Sequence, residues 1–347
     1  MSELLLELVR RYSPSYRESD AVRCLTGWMS AHGFEAFIDS AGSACGLRGA
    51  PDAPNLLALL GHIDTYPGEI PVRIEAGKLY GRGSVDAKGA LCAFAEAAAA
   101  ATIPAGWRVL VAGAVEEECP TSRGARTIAE QFKPALCIIG EPSGARRLTL
   151  GYKGRLLVDY TLTRPCAHSA RPDASVGAIG AALWMRVLAW AEETNAGYDR
   201  FFDQMMPNLN AINTSSDHFH DTLTMTIGFR LPPRLTPAAA YETLQTFVSD
   251  GQLRPYSQER AYLSDKNNSL VRGMLAAIRA QGGRPDFVLK TGTSDMNVVG
   301  AVWDCPIVAY GPGDSSLDHT PDEHLSLAEY ALAVATLRQF IENLPAA

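Results

Sequence analysis

The sequence predicts an α/β protein: a mainly parallel sheet flanked by helices, interrupted by an inserted ferredoxin-like α+β domain. Two observations point there. Apolar runs ending in polar clusters alternate with helical patterns over the first part of the chain, a β-α-β rhythm. From about residue 154 the pattern changes to β-α-β-β-α-β, the order of a ferredoxin-like unit, and near residue 268 the α/β pattern resumes. Residues 1–153 and 265–347 therefore read as one discontinuous catalytic domain, and residues 154–264 as the insertion.

The elements follow in order. Glu3 to Tyr12 and Ser19 to His32 read as helices. The run Asn55 to Asp64 reads as a buried strand whose C-terminal end carries polar groups. A glycine-rich turn at Gly81 and Gly83 opens a helix from Asp86 to Ala101. Trp107 to Val115 is a second buried strand, followed by a helix from about Gly124 and a third strand ending at Glu141. In the insertion, Gly154 to Arg164, Asn208 to Thr214, Asp221 to Arg230 and Pro255 to Leu263 have strand character. Val176 to Glu193 and Pro237 to Val248 have helical character. The last part gives a helix to Gln281, the segments FVLKTGTSD and CPIVAYGPG, and a terminal helix from Ser326.

Composition narrows the function. The 347 residues are 47% hydrophobic and 20% charged, with a net charge of −7. That balance suits a globular enzyme and argues against a general nucleic-acid binder. Glu3 and Glu7 interrupt the leucines of the N-terminus, which reads as an amphipathic helix rather than a signal peptide. No apolar run is long enough to span a membrane, so the expected location is the cytoplasm. The seven cysteines show no C-x-x-C pair and read as free thiols in a reducing compartment.

The chemistry lies at the strand ends. His62 and Asp64 follow the first strand, Glu116, Glu117 and Glu118 the second, Glu141 the third, and His319 the GPG turn. Asp86 precedes the helix. In an open parallel sheet such ends share one edge, where ligands bind. Carboxylates gathered that closely repel unless a cation neutralises them. Imidazole with carboxylate suits zinc, with cobalt or manganese as alternatives. A lone acid at a strand end is usually a solvated turn residue; the weight here comes from several elements each delivering a donor.

The segments GHIDTYP, GRGSVDAKGA, VEEECPTSRGA, IIGEPS, PCAHSARP, TGTSD and YGPGDSSLDHTPDE resemble those of the dinuclear-zinc aminoacylase and carboxypeptidase family. That family includes acetylornithine deacetylase, succinyl-diaminopimelate desuccinylase and carboxypeptidase G. The resemblance implies a zinc-peptidase-like catalytic domain, a lid and dimerisation domain over 154–264, a homodimer and two zinc ions per subunit, with cobalt able to substitute. It implies that Asp86 bridges the metals, that His62 and Glu141 complete one site, and that Glu118 and His319 complete the other. Asp64 would orient His62, and Glu117 would be the general base. The Glu triplet permits a second register, with Glu116 as base and Glu117 as ligand. The peptide after the bridging acid, Asp86–Ala87, is expected to be cis.

The same resemblance suggests substrate-binding residues. His168 would hydrogen-bond the scissile carbonyl; the alternative is a surface loop histidine. Arg230 would bind a substrate carboxylate; the alternative is an ordinary edge-strand arginine. Gly292 and Thr293 of TGTSD, with Lys290 before them, would serve the same carboxylate, and Arg155 of GYKGR joins the set. His218 and His220 read as a solvated turn, and His324 as a structural residue at a helix start. A basic stretch from Arg123 to Arg155 is either a solvated face or a docking surface for an acidic substrate.

GYKGR, KTGTSD and the compact chain look most like the subgroup acting in lysine and arginine biosynthesis. Those enzymes release lysine or ornithine from a small acidic amino-group carrier protein. Acetylornithine or acetyl-lysine deacetylation is the near alternative, and a metallo-aminopeptidase or dipeptidase of the same fold is another. A non-catalytic binding protein is disfavoured, since every expected ligand is present.

Overall fold

A computed structural model describes residues 2–168, 170 and 173–345. The chain forms two compact units, one made of Met1–Gly151, Leu263–Leu289 and Ser294–Ala347, the other of Tyr152–Tyr262 and Lys290–Thr293.

The first unit is organised by a nine-stranded sheet. Its centre is parallel: Trp107–Ala114 pairs with Asn55–His62, which pairs with Leu136–Gly140, which pairs with Ile307–Ala309. Residues Leu57 to His62 are all buried. Such strands therefore show an unbroken apolar run rather than alternation. Antiparallel strands extend this core. Ala44–Gly49 joins Trp107–Ala114, Glu35–Ile38 joins Ala44–Gly49, and Arg147–Tyr152 meets Ile307–Ala309. The two strands before residue 50 have no clear apolar period, and the sequence reading passed over them. A small sheet of Arg73–Glu75, Lys78–Tyr80 and His324–Ser326 lies apart from the main one. His324 therefore starts a short strand, not a helix; its ring tilts against Tyr80, and the terminal helix begins at Leu327.

A row of glycines lets the helix Lys88–Ala100 lie close on the sheet. Gly61 stands opposite both Gly113 and Gly140. A methyl group at Gly113 would come 3.0 Å from Leu91, and one at Gly140 would come 2.8 Å from Phe94. The helix thereby begins beside the strand ends. The Asp86–Ala87 peptide is cis, as the resemblance implies. The helix starts at Lys88 rather than Asp86, which leaves the Asp86 carboxylate on the loop. Lys88 is buried and donates from Nζ to the carbonyls of Leu8 (2.9 Å) and Arg11 (2.6 Å) at the end of the first helix.

In the second unit an antiparallel sheet runs in the order Met206–Ser216, His220–Leu231, Gly154–Pro165, Gln252–Glu259. Leu156, Val158, Tyr160 and Leu162 on one strand, and Leu223, Met225, Ile227 and Phe229 on its neighbour, point to one face. The helices Val176–Asn195 and Pro237–Gln245 cover that face with Leu183, Val187 and Leu244. The last strand ends at Glu259, earlier than its apolar pattern suggested. Ser257 takes a left-handed φ of 50°, and the pairing with Gly154–Pro165 shifts register there. Tyr262–Leu263 then runs as a separate strand of the large sheet.

All seven cysteines are free. Among the described residues no helix is long and apolar enough to cross a membrane.

Candidate metal centre

The first unit gathers four of the expected ligands. His62, at the end of its strand, places Nε2 3.2 Å from Asp86 Oδ1. His319 places Nε2 3.1 Å from Asp86 Oδ2 and 3.1 Å from Glu118 Oε2. Donor atoms of His62, Asp86 and Glu118 lie within 4.8 Å of one another. Asp86 stands between the two histidines, one carboxylate oxygen toward each. Glu118 Oε1 is buried without a hydrogen-bond partner among the described residues. Two imidazoles, two carboxylates and an orphaned buried oxygen suit a zinc-type cation.

The charges of these groups shape one another. Burial pushes the Asp86 carboxyl up, but hydrogen bonds from His319 and His62 outweigh it and hold Asp86 below the usual carboxylate range. Hydrogen bonds to Asp86 and Glu118 push His319 up to about 10. Burial disfavours charge on His62, yet Asp64 and Asp86 raise it well above an ordinary histidine.

The Glu triplet separates into three environments. Glu116 takes a left-handed φ of 63° and turns away: its carboxylate accepts from Arg123 Nη2 (2.8 Å) and Thr121 Oγ1 (2.6 Å). Glu118 faces His319. Glu117 lies between them in sequence, near His62, Glu141 and Asp295. Burial raises its carboxyl well above the usual value; His62 opposes the rise, and the like charges of Glu141, Asp295 and Glu118 add to it. Glu141 is itself buried at the third strand end.

Asp64 is fully buried and does more than the sequence suggested. Its Oδ1 accepts the Glu117 amide (3.1 Å), and its Oδ2 accepts the Glu118 amide (3.0 Å) and the Ser15 hydroxyl (2.7 Å). The nearest Asp64 atom to the His62 ring is the main-chain carbonyl, 3.0 Å from Nδ1, with the carboxylate at 3.6 Å. One residue thus fixes both the His62 ring and the backbone of the acidic turn.

The remaining candidates lie in the second unit. Arg230 donates from Nη1 to Thr293 Oγ1 at 2.7 Å. Arg155 stands directly across the ladder from Arg230. The carbonyl of Lys290 accepts the Lys153 amide at 3.3 Å, so Lys290, Gly292 and Thr293 group with Arg230. His168 is exposed, and its Nδ1 accepts from the Ala170 amide at 3.2 Å. Ser169, Arg171 and Pro172 of the same motif lie outside the described residues. His218 is exposed in a hairpin turn, and His220, also exposed, opens the strand His220–Leu231.

Sequence reasoning missed Asp295, Glu323 and Arg82. Asp295 opens a short helix capped by Ser294, inside the TGTSD motif. Glu323 ends the HTPDE segment, and Arg82 lies in GRG. All three stood in quoted motifs, but none has a ligand's spacing.

The profile of peptidase family M20/M25/M40 matches residues 58–343. The chain belongs to that family. Among curated relatives it is 45% identical to the LysW-lysine hydrolase of Deinococcus radiodurans, over 99% of this chain and 96% of that one. It is 29% identical to the LysW-lysine/LysW-ornithine hydrolase of Sulfurisphaera tokodaii, over 99% and 95%. A metallo-carboxypeptidase of the M20 family from Sulfolobus solfataricus shares the fold, with a TM-score of 0.78, 17% identity and coverage of 99% of both chains. A tripeptidase from Staphylococcus aureus does so with a TM-score of 0.80, 16% identity and coverage of 98% and 96%. As a family member with this donor set, the chain is a metal-dependent amide hydrolase.

Proposed function

We propose that this chain hydrolyses the amide bond joining the amino group of lysine, or of ornithine, to an acidic amino-group carrier protein. The observation that carries the reading is the convergence of His62, Asp86, Glu118 and His319 on one cluster in a chain 45% identical, end to end, to a LysW-lysine hydrolase. His62, Asp86, Glu118, Glu141 and His319 would hold two zinc ions, with Asp86 shared; cobalt would substitute.

Bound there, zinc supplies Lewis acidity that polarises the scissile carbonyl and eases deprotonation of water. The chain's own groups do the rest. Glu117 takes one proton from the attacking water onto its carboxylate, and the water oxygen forms the new bond to the carbonyl carbon. When the C–N bond breaks, the same carboxylate returns the proton to the leaving nitrogen. The second proton of the water leaves the new carboxyl for the amine, so the products are the carrier's free carboxylate and the protonated amino group of the released amino acid. A carboxyl raised by burial suits a base that must also act as an acid. Asp64 keeps Glu117 and Glu118 in register through their amides. In the second unit, which we read as the lid and as the homodimer contact, Arg230 with Lys290, Gly292, Thr293 and Arg155 would bind substrate carboxylates, and His168 would donate to the reacting oxygen. The reaction belongs to lysine or arginine biosynthesis in the cytoplasm.

The test is a panel. Zinc- or cobalt-loaded protein is given carrier-linked lysine, carrier-linked ornithine, acetyl-lysine, acetylornithine and lysine-containing dipeptides, and free amino acid is measured. The carrier-linked substrates should give the highest kcat/KM. A preference for acetyl compounds or dipeptides would reject the carrier as the substrate.

A further inference from the structure

We propose that Glu323 and Arg82 form a positioning pair that fixes the Asp86 and His319 loops in the geometry that takes up metal. The inference rests on the metal-centre reading given above.

Both side chains are buried: Glu323 shows no exposed surface and Arg82 only 7%. Glu323 Oε2 accepts from Arg82 Nη1 at 2.8 Å. Its other oxygen, Oε1, accepts the amides of Val85 (2.9 Å) and of Asp86 itself (3.1 Å). Both carboxylate oxygens are thus engaged, one by the guanidinium and the other by the loop amides. The carbonyl of Glu323 accepts the Gly81 amide at 3.3 Å, closing the other end of the same loop.

Arg82 extends the link in a second direction. Its Nε donates to the Gly68 carbonyl at 2.9 Å. The guanidinium lies 5.8 Å from the ring of Tyr66. Tyr66 in turn stacks on His319, with centroids 4.1 Å apart and planes 13° from parallel. Glu323 follows His319 on one loop and grips Asp86 on another, while Arg82 braces the turn whose tyrosine lies on the His319 ring. A buried ion pair contributes little net stability compared with apolar packing of the same volume. What this pair adds is a fixed relation between two ligand loops far apart in sequence.

The experiment compares two charge-matched double variants by zinc affinity, using chelator competition on metal-free protein, and by the absorption spectrum of the cobalt form. Glu323→Gln with Arg82→Met removes both charges but leaves an oxygen for the Val85 and Asp86 amides. Glu323→Leu with Arg82→Met removes the charges and the acceptor. The glutamine pair keeps the grip on the Val85 and Asp86 amides but loses the Arg82 brace. It should bind zinc a few-fold more weakly than wild type, and wild-type affinity there would overturn the part assigned to Arg82. The leucine pair should bind about 10- to 100-fold more weakly, with a shifted spectrum. Equal affinities in the two pairs, whether high or low, would overturn the proposal. Should the leucine pair not fold, the single Glu323→Gln variant decides. With Arg82 present its amide nitrogen must face either the guanidinium or the loop amides, so zinc binding should weaken; an unchanged affinity would overturn the proposal. No substrate is used, so an error about the substrate leaves the result intact. Wild-type protein that bound no zinc would sink the centre and this pair together.

Discussion

Glutamine scanning of the Glu116–Glu118 triplet is the sharpest test of the centre, because the three neighbours occupy three different environments. Glu116→Gln loses charge from an ion pair whose arginine is 57% exposed and keeps an oxygen for Thr121. Because the Glu116 carboxylate is itself buried, the loss should exceed that of a surface pair and reach about 1–3 kcal/mol, while kcat should stay within a few-fold of wild type. Glu118→Gln removes the charge beside His319 and Asp86. Metal affinity should fall, and activity with it, but excess zinc should recover part of the rate. Glu117→Gln keeps the shape and the amide bond to Asp64 but cannot take a proton. General-base catalysis contributes about 10²- to 10⁴-fold, which at about 1.36 kcal/mol per decade is about 3–5 kcal/mol of barrier. The assay pairs kcat, from lysine release, with zinc content on the same samples. A Glu117→Gln enzyme that is fully loaded and fully active would refute the assignment. So would a profile in which Glu116→Gln alone abolishes turnover with zinc retained, which would shift the whole register by one residue.

Further outcomes follow from the same structure. Chelation should abolish activity while leaving the far-ultraviolet circular dichroism intact, since apolar burial holds the sheet; added zinc should restore turnover. Zinc affinity should rise with pH up to about 10, because Asp86 and Glu118 favour the proton on His319 that the metal must displace; calorimetry in buffers of different ionisation heat would detect the released protons, and a pH-independent affinity would contradict it. In the second unit, burial lowers Lys153 from 10.5 to about 8. Between those values the unfolded chain holds the proton more firmly, so stability should rise with pH across that window relative to Lys153→Met; thermal unfolding of the two proteins at pH 7 to 10.5 checks the sign. At Gly124 a methyl group would lie 2.4 Å from the Val115 nitrogen and 2.7 Å from its carbonyl oxygen. Gly124→Ala should cost about 1–3 kcal/mol in denaturant unfolding and lower kcat, because the displaced strand end leads directly into the triplet.

The parts of this molecule legible in the sequence are those where one physical demand dominates. Leu57 to His62 is buried throughout, so its apolar run and polar end were visible without any structure. His62, Asp86, Glu118 and His319 stood out because imidazole and carboxylate at successive strand ends have few other uses. Ala44–Gly49 was invisible: it pairs inside the sheet but shows neither alternation nor an unbroken apolar run. Glu323 and Arg82 were also invisible, because a buried ion pair has the same letters as a solvated loop. The dual service of Asp64 could not be read either. Spacing suggested the His62 contact, but the grip on Glu117 and Glu118 depends on where two strands end in space. Lys290 to Thr293 looked continuous with the strand before it, yet the Lys153 amide and Arg230 draw it into the second unit.

The interleaving of the two chain ends has a consequence for synthesis. Ile307–Ala309 occupies a place inside the large sheet between Leu136–Gly140 and Arg147–Tyr152, and 257 residues (319 − 62) separate His62 from His319. At roughly 5–20 residues per second on the ribosome, the first histidine waits on the order of 13–51 s for the second. During that interval the nascent chain has an open sheet and an incomplete set of donors, and the residues of the second unit, Tyr152–Tyr262 and Lys290–Thr293, are all made before His319. Stable uptake of metal is accordingly a late event that awaits His319, and truncated chains ending before residue 319 should emerge without it.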